Sequence, residues 1–172
     1  MAHIEGQIDL SLQTDGNRVT VVRLHSSRPV NACRVLIGHT VQEVPRIVSL
    51  LYRVCGHAQT LTALKACESA KGIEASPRAS LNRECMVLIE TIREHAWRLL
   101  MDWPLLMAQQ PAIEAFQSIQ RVLANMSRRL CPEGACWRLG GEPTCPEPIE
   151  WLPLLDELEQ LLKQNMAFTL SN

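Results

Sequence analysis

The chain has 172 residues, 47% hydrophobic and only 4% aromatic, and its 17 basic and 18 acidic residues leave a formal net charge of −1. That length buries a full core in one domain, or in one domain with an appendage, and aliphatic helix packing is expected to dominate it. The balanced charge gives no electrostatic case for nucleic acid or an anionic membrane surface. No stretch reaches the roughly 18 uninterrupted apolar residues of a membrane span, and the polar start Met1-Ala2-His3-Ile4-Glu5 does not read as a signal peptide. Seven cysteines, an odd number without an export signal, predict reduced thiols in a cytoplasmic protein.

Residues 4 to 25 alternate. Ile4, Gly6, Ile8, Leu10 and Leu12 fall on one face, and Val19, Val21 and Arg23 continue the pattern after a turn. Thr14-Asp15-Gly16-Asn17 is that turn, because Asp-Gly supplies the positive φ of a tight hairpin. A two-stranded hairpin is marginal alone, so it is expected to lie on something apolar. Glu5 is a carboxylate on its apolar face, with a solvated edge charge as the alternative reading. After Arg28-Pro29, Asn31 caps a short helix through Ile37 that Gly38 ends. A second short helix runs from Val41 or Pro45 to Tyr52, with Val44, Ile47, Val48 and Leu51 inward.

The next helix begins near His57 and runs to Lys71-Gly72, with Ala63, Leu64, Cys67 and Ala70 on one stripe. Ser76-Pro77 opens the longest helix, serine as N-cap and proline at the first helical position. Its stripe of Leu81, Cys85, Leu88, Ile89, Ile92, Ala96, Leu99, Leu100 and Trp103 lasts until Pro104 ends or kinks it. His95 reads as a core or boundary histidine. Pro111 begins a helix carrying Ile113, Phe116, Ile119, Val122, Leu123 and Met126, and an amphipathic helix from Ile149 to Met166 closes the chain. Between them, the prolines and glycines of residues 131 to 146 forbid regular structure.

Chemistry concentrates in Arg53-Val54-Cys55-Gly56-His57-Ala58-Gln59. A helix N-terminus and a neighbouring guanidinium both favour thiolate over thiol, so Cys55 is the best placed of the cysteines to bind a soft metal or act as a nucleophile. The plainer alternative is a small buried residue at a helix start. Cys131, Cys136 and Cys145 are spaced C-x4-C and C-x8-C, without the tight pair that zinc sites use, and read by default as an ordinary reduced loop. No glycine-rich phosphate loop follows a strand, and there is no Gly-x-Ser-x-Gly elbow. Glu157 and Glu159 read as solvated surface carboxylates. A standalone enzyme is not supported.

In order, these segments resemble the N-terminal part of a nickel-iron hydrogenase large subunit over residues 4 to 104. Ile4-Glu5-Gly6-Gln7 stands at the family's first strand, Arg28-Pro29 and Gly38-His39 at its short connecting motifs, and Arg53-Val54-Cys55-Gly56-His57-Ala58 at the first half of the hallmark Arg-x-Cys-Gly-x-Cys-x-x-x-His. The long helix ending Asp102-Trp103-Pro104 is similar too. The departures decide the reading. Ala58 replaces the hallmark's second cysteine and Thr62 its histidine, and no second cysteine pair follows, since Cys131-Pro132-Glu133-Gly134-Ala135-Cys136 does not match the Asp-Pro-Cys-x-x-Cys pattern. A methyl group cannot bridge nickel to iron. The chain is therefore not expected to be a hydrogenase.

Cys55 to Gln59 reads Cys-Gly-His-Ala-Gln, which resembles the hydrogenase expression/formation proteins of the HupK/HoxV type. The fold expected is mainly α with an N-terminal β-hairpin (α+β): a region resembling the large subunit, 1–104, and a helical extension, 105–172, that contains the Cys/Pro/Gly-rich loop 131–148 and packs on the same domain. The resemblance implies a non-catalytic assembly scaffold that transiently holds the iron-dicyanide-carbonyl unit and passes it to the large subunit, with small maturation chaperones as further partners. Cys55 is then the metal ligand. Arg53 and nearby backbone N–H groups donate to cyanide nitrogens, His57 is a second ligand, a donor or only a helix-start residue, and Glu5 accepts from His57 or carries a proton. The alternative is a metal-free module, derived from the same fold, that docks hydrogenase or maturation partners. A quinone-type respiratory subunit fits less well, because such homologues generally lack the hallmark cysteines and Cys55 is retained.

Overall fold

The computed structural model describes residues 6–27, 31–141 and 151–170, with side chains of the last helix described as far as residue 165. Two compact units follow each other in sequence, Met1–His39 and Thr40–Asn172.

The first unit contains the hairpin. Strands β1 (Ile8–Asp15) and β2 (Arg18–Ser26) pair antiparallel, and Gly16, at φ +58°, makes the turn with Asn17. Leu10 faces Leu24 and Leu12 faces Val22. A bulge between Gln13 and Thr14 then shifts the register, so Val21 pairs with Gln13 and Val19 with Thr14. Val22 and Leu24, rather than Val21 and Arg23, therefore share the apolar face with Leu10 and Leu12. Simple alternation cannot see that correction, because one extra residue inverts every side chain after it. Thr20 Oγ donates to Gln13 O across the bulge, and all residues of both strands are exposed. The short helix expected after Asn31 is a single 3-10 segment, Ala32–Leu36, whose Asn31 side chain makes no capping bond. Glu5 and Arg28-Pro29 lie outside the described residues.

The second unit is helical: α1 (Val44–Leu51), α2 (Gly56–Lys71), α3 (Pro77–Trp97), α4 (Trp103–Leu106), α5 (Ile113–Leu130) and α6 (Leu152–Leu170). The expected punctuation is in place. Ser76 Oγ accepts from Ala79 N–H at 3.2 Å, and Gly72 ends α2 in the left-handed conformation. Pro104 does interrupt the long helix, and the accommodation begins before it: Arg98–Asp102 widen into a π-helical turn. Proline has no N–H for the carbonyl of Leu100, and Ala112 N–H takes that acceptor instead at 2.8 Å. The core joins Met86, Ile89 and Leu100 to Ile119, Val122 and Leu123 of α5, with Leu154 and Leu158 of α6. Among the described residues no helix is long and apolar enough to cross a membrane.

The buried face of α3 is not the expected apolar stripe. Leu81, Leu88 and Trp103 are exposed, whereas Asn82, Arg83 and Glu90 are buried. His95, expected at the core or its boundary, is also exposed. Arg83 and Glu90 can be inside because their charged groups have partners, whereas Asn82 donates from Nδ2 to Leu130 O at 3.1 Å and its Oδ1 has no hydrogen-bond partner among the described residues. Arg83 makes a two-pronged ion pair with buried Glu68 (3.0 and 2.8 Å), and it also donates to the carbonyls of Cys136 (2.7 Å) and Arg138 (2.8 Å). Glu68 in turn accepts from Gly140 N–H at 2.9 Å. This cluster ties α2, α3 and the segment after α5 together. On α2 the buried row is Thr60, Leu64 and Glu68, and Ala70 is exposed.

Gly141 sits where this cluster is tightest. Its φ is +61°, and a Cβ there would lie 2.6 Å from Ala79 Cβ and 3.1 Å from Arg83 Nη2. Gly141→Ala is expected to lower stability by about 2 kcal/mol through left-handed strain plus overpacking, a drop of roughly 4–8 °C in Tm by thermal denaturation.

Candidate functional site

The hallmark segment crosses from α1 to α2. Tyr52 N–H closes α1 on Val48 O, residues 53–55 cross over, and Cys55 is the N-cap residue of α2, with Gln59 N–H on its carbonyl at 3.0 Å. The thiol of Cys55 is exposed, unoxidised, and makes no capping hydrogen bond. A side chain from another helix does the capping. The buried carboxylate of Glu90, on α3, accepts from His57 N–H at 2.8 Å and from Ala58 N–H at 3.1 Å. The positive end of α2 thus faces a fixed carboxylate. The backbone N–H groups of His57 and Ala58 are thus already engaged by this carboxylate. Gly56 is buried, and a Cβ on it would rest 3.5 Å from Ser49 O, in ordinary contact.

His57 is half-buried, and its ring stacks on the indole of Trp137, centroids 5.3 Å apart and planes 14° apart. Burial pushes its pKa below the usual value, Glu90 opposes that shift, and Arg93 adds to it. The unfolded chain therefore binds this proton at a higher pH than the folded one. The neutral imidazole's contribution to stability is complete above the ordinary histidine range and is lost as pH falls through the folded pKa. Tm is expected to be lower at pH 5.5 than at 7.5, and His57→Gln to remove part of that difference. A pH–Tm series on both proteins checks this.

Of the residues singled out in the sequence, Arg53 and Cys55 are exposed and His57 is half-buried, all three within one turn of chain. Glu5 lies outside the described residues. Beside the segment, Val54 joins Arg93, Glu94, Trp97, Arg98, Phe116 and Gln120 around a recess of about 250 Å³. Glu90, Arg93 and Trp137 were not found from the sequence. Glu90 carried one usable signal: it lies seven residues after Arg83, two helical turns along the same face.

The loop cysteines also require a correction. Cys131 and Cys136 form a disulfide rather than a reduced pair. The 3-10 segment Pro132–Trp137 folds tightly enough to bring their Cα atoms within 5.3 Å, inside the range that a disulfide spans. Cys145 lies outside the described residues. Among the described residues no group of three or more His, Cys, Asp or Glu side chains gathers as a metal site.

The second unit is thus of a helical class that presents an exposed cysteine at a helix start, followed on the same helix by Ala58 and Thr62. Known proteins with related sequences narrow that class. The hydrogenase expression/formation protein HoxV of Cupriavidus necator is 36% identical over 91 residues, 53% of this chain and 23% of its own length. The hydrogenase expression/formation protein HupV of Azotobacter chroococcum is 34% identical over 100 residues, 58% of this chain and 29% of its own. The hydrogenase expression/formation protein HupK of Azotobacter vinelandii is 28% identical over 169 residues, 90% of this chain and 49% of its own. The chain is thus a homologue of the HoxV/HupK hydrogenase expression/formation proteins, and it spans at most about half the length of these relatives. No family model matches it.

Proposed function

We propose that this chain is a non-catalytic assembly scaffold in nickel-iron hydrogenase maturation. In this reading Cys55 transiently holds the iron-dicyanide-carbonyl unit before its transfer to the large subunit. The observation that carries the reading is the exposed thiol at the start of α2, on a turn fixed by Glu90, in a chain related to expression/formation proteins. One thiolate is suited to handing a metal unit on, because Ala58 removes the bridging sulfur that would lock nickel beside the iron. Arg53, exposed beside Cys55, supplies donors to a cyanide nitrogen, and His57 supplies a ring nitrogen two residues away. Glu5, which lies outside the described residues, keeps the role that the resemblance implies, accepting from His57 or carrying a proton. Small maturation chaperones and the large subunit are the partners, and the cytoplasm is the compartment.

A second reading, a metal-free docking module, is favoured by a different observation: Glu90 already takes the N–H groups of His57 and Ala58. Iron content separates the two. Protein co-produced with hydrogenase maturation factors is expected to carry close to stoichiometric iron, and Cys55→Ala only background, with Tm unchanged to within about 2 °C because the thiol is exposed. Iron-free wild-type protein that still binds a large subunit would establish the docking module.

A further inference from the structure

We infer that Cys131 and Cys136 are a reversible redox site whose oxidised form clamps Trp137 against His57. The two cysteines are five residues apart and joined, with Cys136 fully buried and Cys131 7% exposed. In the reducing compartment proposed above, a disulfide of this kind cycles instead of serving as a permanent staple. Cys136 N–H also donates to Cys131 Sγ, at 3.2 Å.

The segment between the cysteines shows what the bond constrains. Glu133 and Gly134 lie successively in the left-handed region, at φ +50° and +73°. Glu133 is one of two non-glycine residues among those described with positive φ, a conformation that persists where surrounding structure enforces it. Cys131 ends α5 and Cys136 is held by Arg83 through its carbonyl, so the disulfide fastens the end of α5 to the buried Arg83–Glu68 pair. Trp137 follows directly, and its indole lies on His57, two residues from Cys55. A continuous packed path thus runs from the disulfide to the Cys55 turn. When the bond opens, residues 132–135 lose their cross-link and the Trp137 indole loses the restraint on that side of its stack. Arg83 still holds the carbonyls of Cys136 and Arg138, so the change is local and the fold survives.

The chemistry balances with an external dithiol. Its thiolate attacks Sγ of Cys131, the less buried of the two residues, and expels the Cys136 thiolate, which takes up a proton. The second thiol then closes the reagent's own disulfide and releases Cys131 as a thiol. Two electrons and two protons pass to the protein, and the reagent is oxidised by the same amount. This inference does not depend on whether Cys55 holds iron.

The test exposes the full chain to oxidised glutathione and then to dithiothreitol. Thiol blocking under denaturing conditions is followed by peptide mapping, alongside the His57 ring proton resonances at a fixed pH of 8. Expected are a Cys131–Cys136 link that forms and reverses, loss of two blockable thiols on oxidation, and a His57 resonance displaced by the indole ring current only in the oxidised state. The Cys131→Ser/Cys136→Ser protein should hold the reduced-state resonance under both conditions. Free Cys131 and Cys136 after oxidant, linkage to another cysteine instead, or a His57 resonance that ignores the bond would each overturn the proposal.

Discussion

Arg83→Ala is expected to remove about 4 kcal/mol of stability, as measured in breaking other buried ion pairs, and to lower Tm by roughly 10 °C or more. Arg83 is 1% exposed and satisfies three acceptors: the Glu68 carboxylate and the carbonyls of Cys136 and Arg138. Among the described residues, removing it leaves the buried Glu68 carboxylate only the Gly140 N–H and takes the Arg83 donor from the Cys136 carbonyl, whereas the Arg138 carbonyl keeps the Gly141 N–H at 2.9 Å. The cost therefore lies mostly in what stays behind uncompensated. A second variant separates that from a net contribution of the pair. In Arg83→Met/Glu68→Met no buried charge remains, and the loss should shrink well below that of Arg83→Ala alone. Equal losses in the single and double variants, by urea denaturation, would show that the carbonyl bonds dominate.

Glu90→Ala should cost about 3 kcal/mol, since two charge-assisted bonds to the first turn of α2 disappear together. Glu90→Gln keeps one good acceptor and loses the charge, so about a third of that loss is expected. The readout is local as well as global. Amide exchange at His57 and Ala58 should quicken in Glu90→Ala far more than exchange in α5, because the carboxylate holds that turn and no other. Uniform acceleration through α2 and α5 alike would mean that Glu90 supports the whole unit and not the Cys55 turn in particular.

These two residues also mark where sequence reasoning stops. Serine before proline at 76–77, glycine after lysine at 72 and the apolar period of α5 each specify local structure through a few neighbouring atoms, and each was legible. The Cys55 turn was legible as a helix start for the same reason. The partner of that start was not, because Glu90 lies 33 residues from His57 and meets it only through packing. Arg83 and Glu68 escaped in the same way: a charged residue beside an apolar stripe reads as solvated until its counter-charge, 15 residues distant, is placed in space. The stripe on α3 misled for a related reason. Leu81 and Leu88 fit the helical period, yet the face turned inward is the one that carries Arg83 and Glu90. In the hairpin a single bulge moved Val22 and Leu24 onto the face assigned to Val21 and Arg23. The resemblance to the expression/formation proteins is read from Cys55-Gly56-His57-Ala58-Gln59, and the sequence similarity to HoxV and HupK agrees with it.

The claim that Cys55 carries the iron unit is tested most directly by infrared spectroscopy of the protein co-produced with hydrogenase maturation factors. The account predicts carbonyl and cyanide stretching bands in the wild-type protein and their loss in Cys55→Ala, with Arg53→Ala shifting the cyanide bands and leaving the carbonyl band in place. Bands of equal intensity in wild type and Cys55→Ala would contradict it, as would their absence from wild type in a host that loads its own large subunit normally.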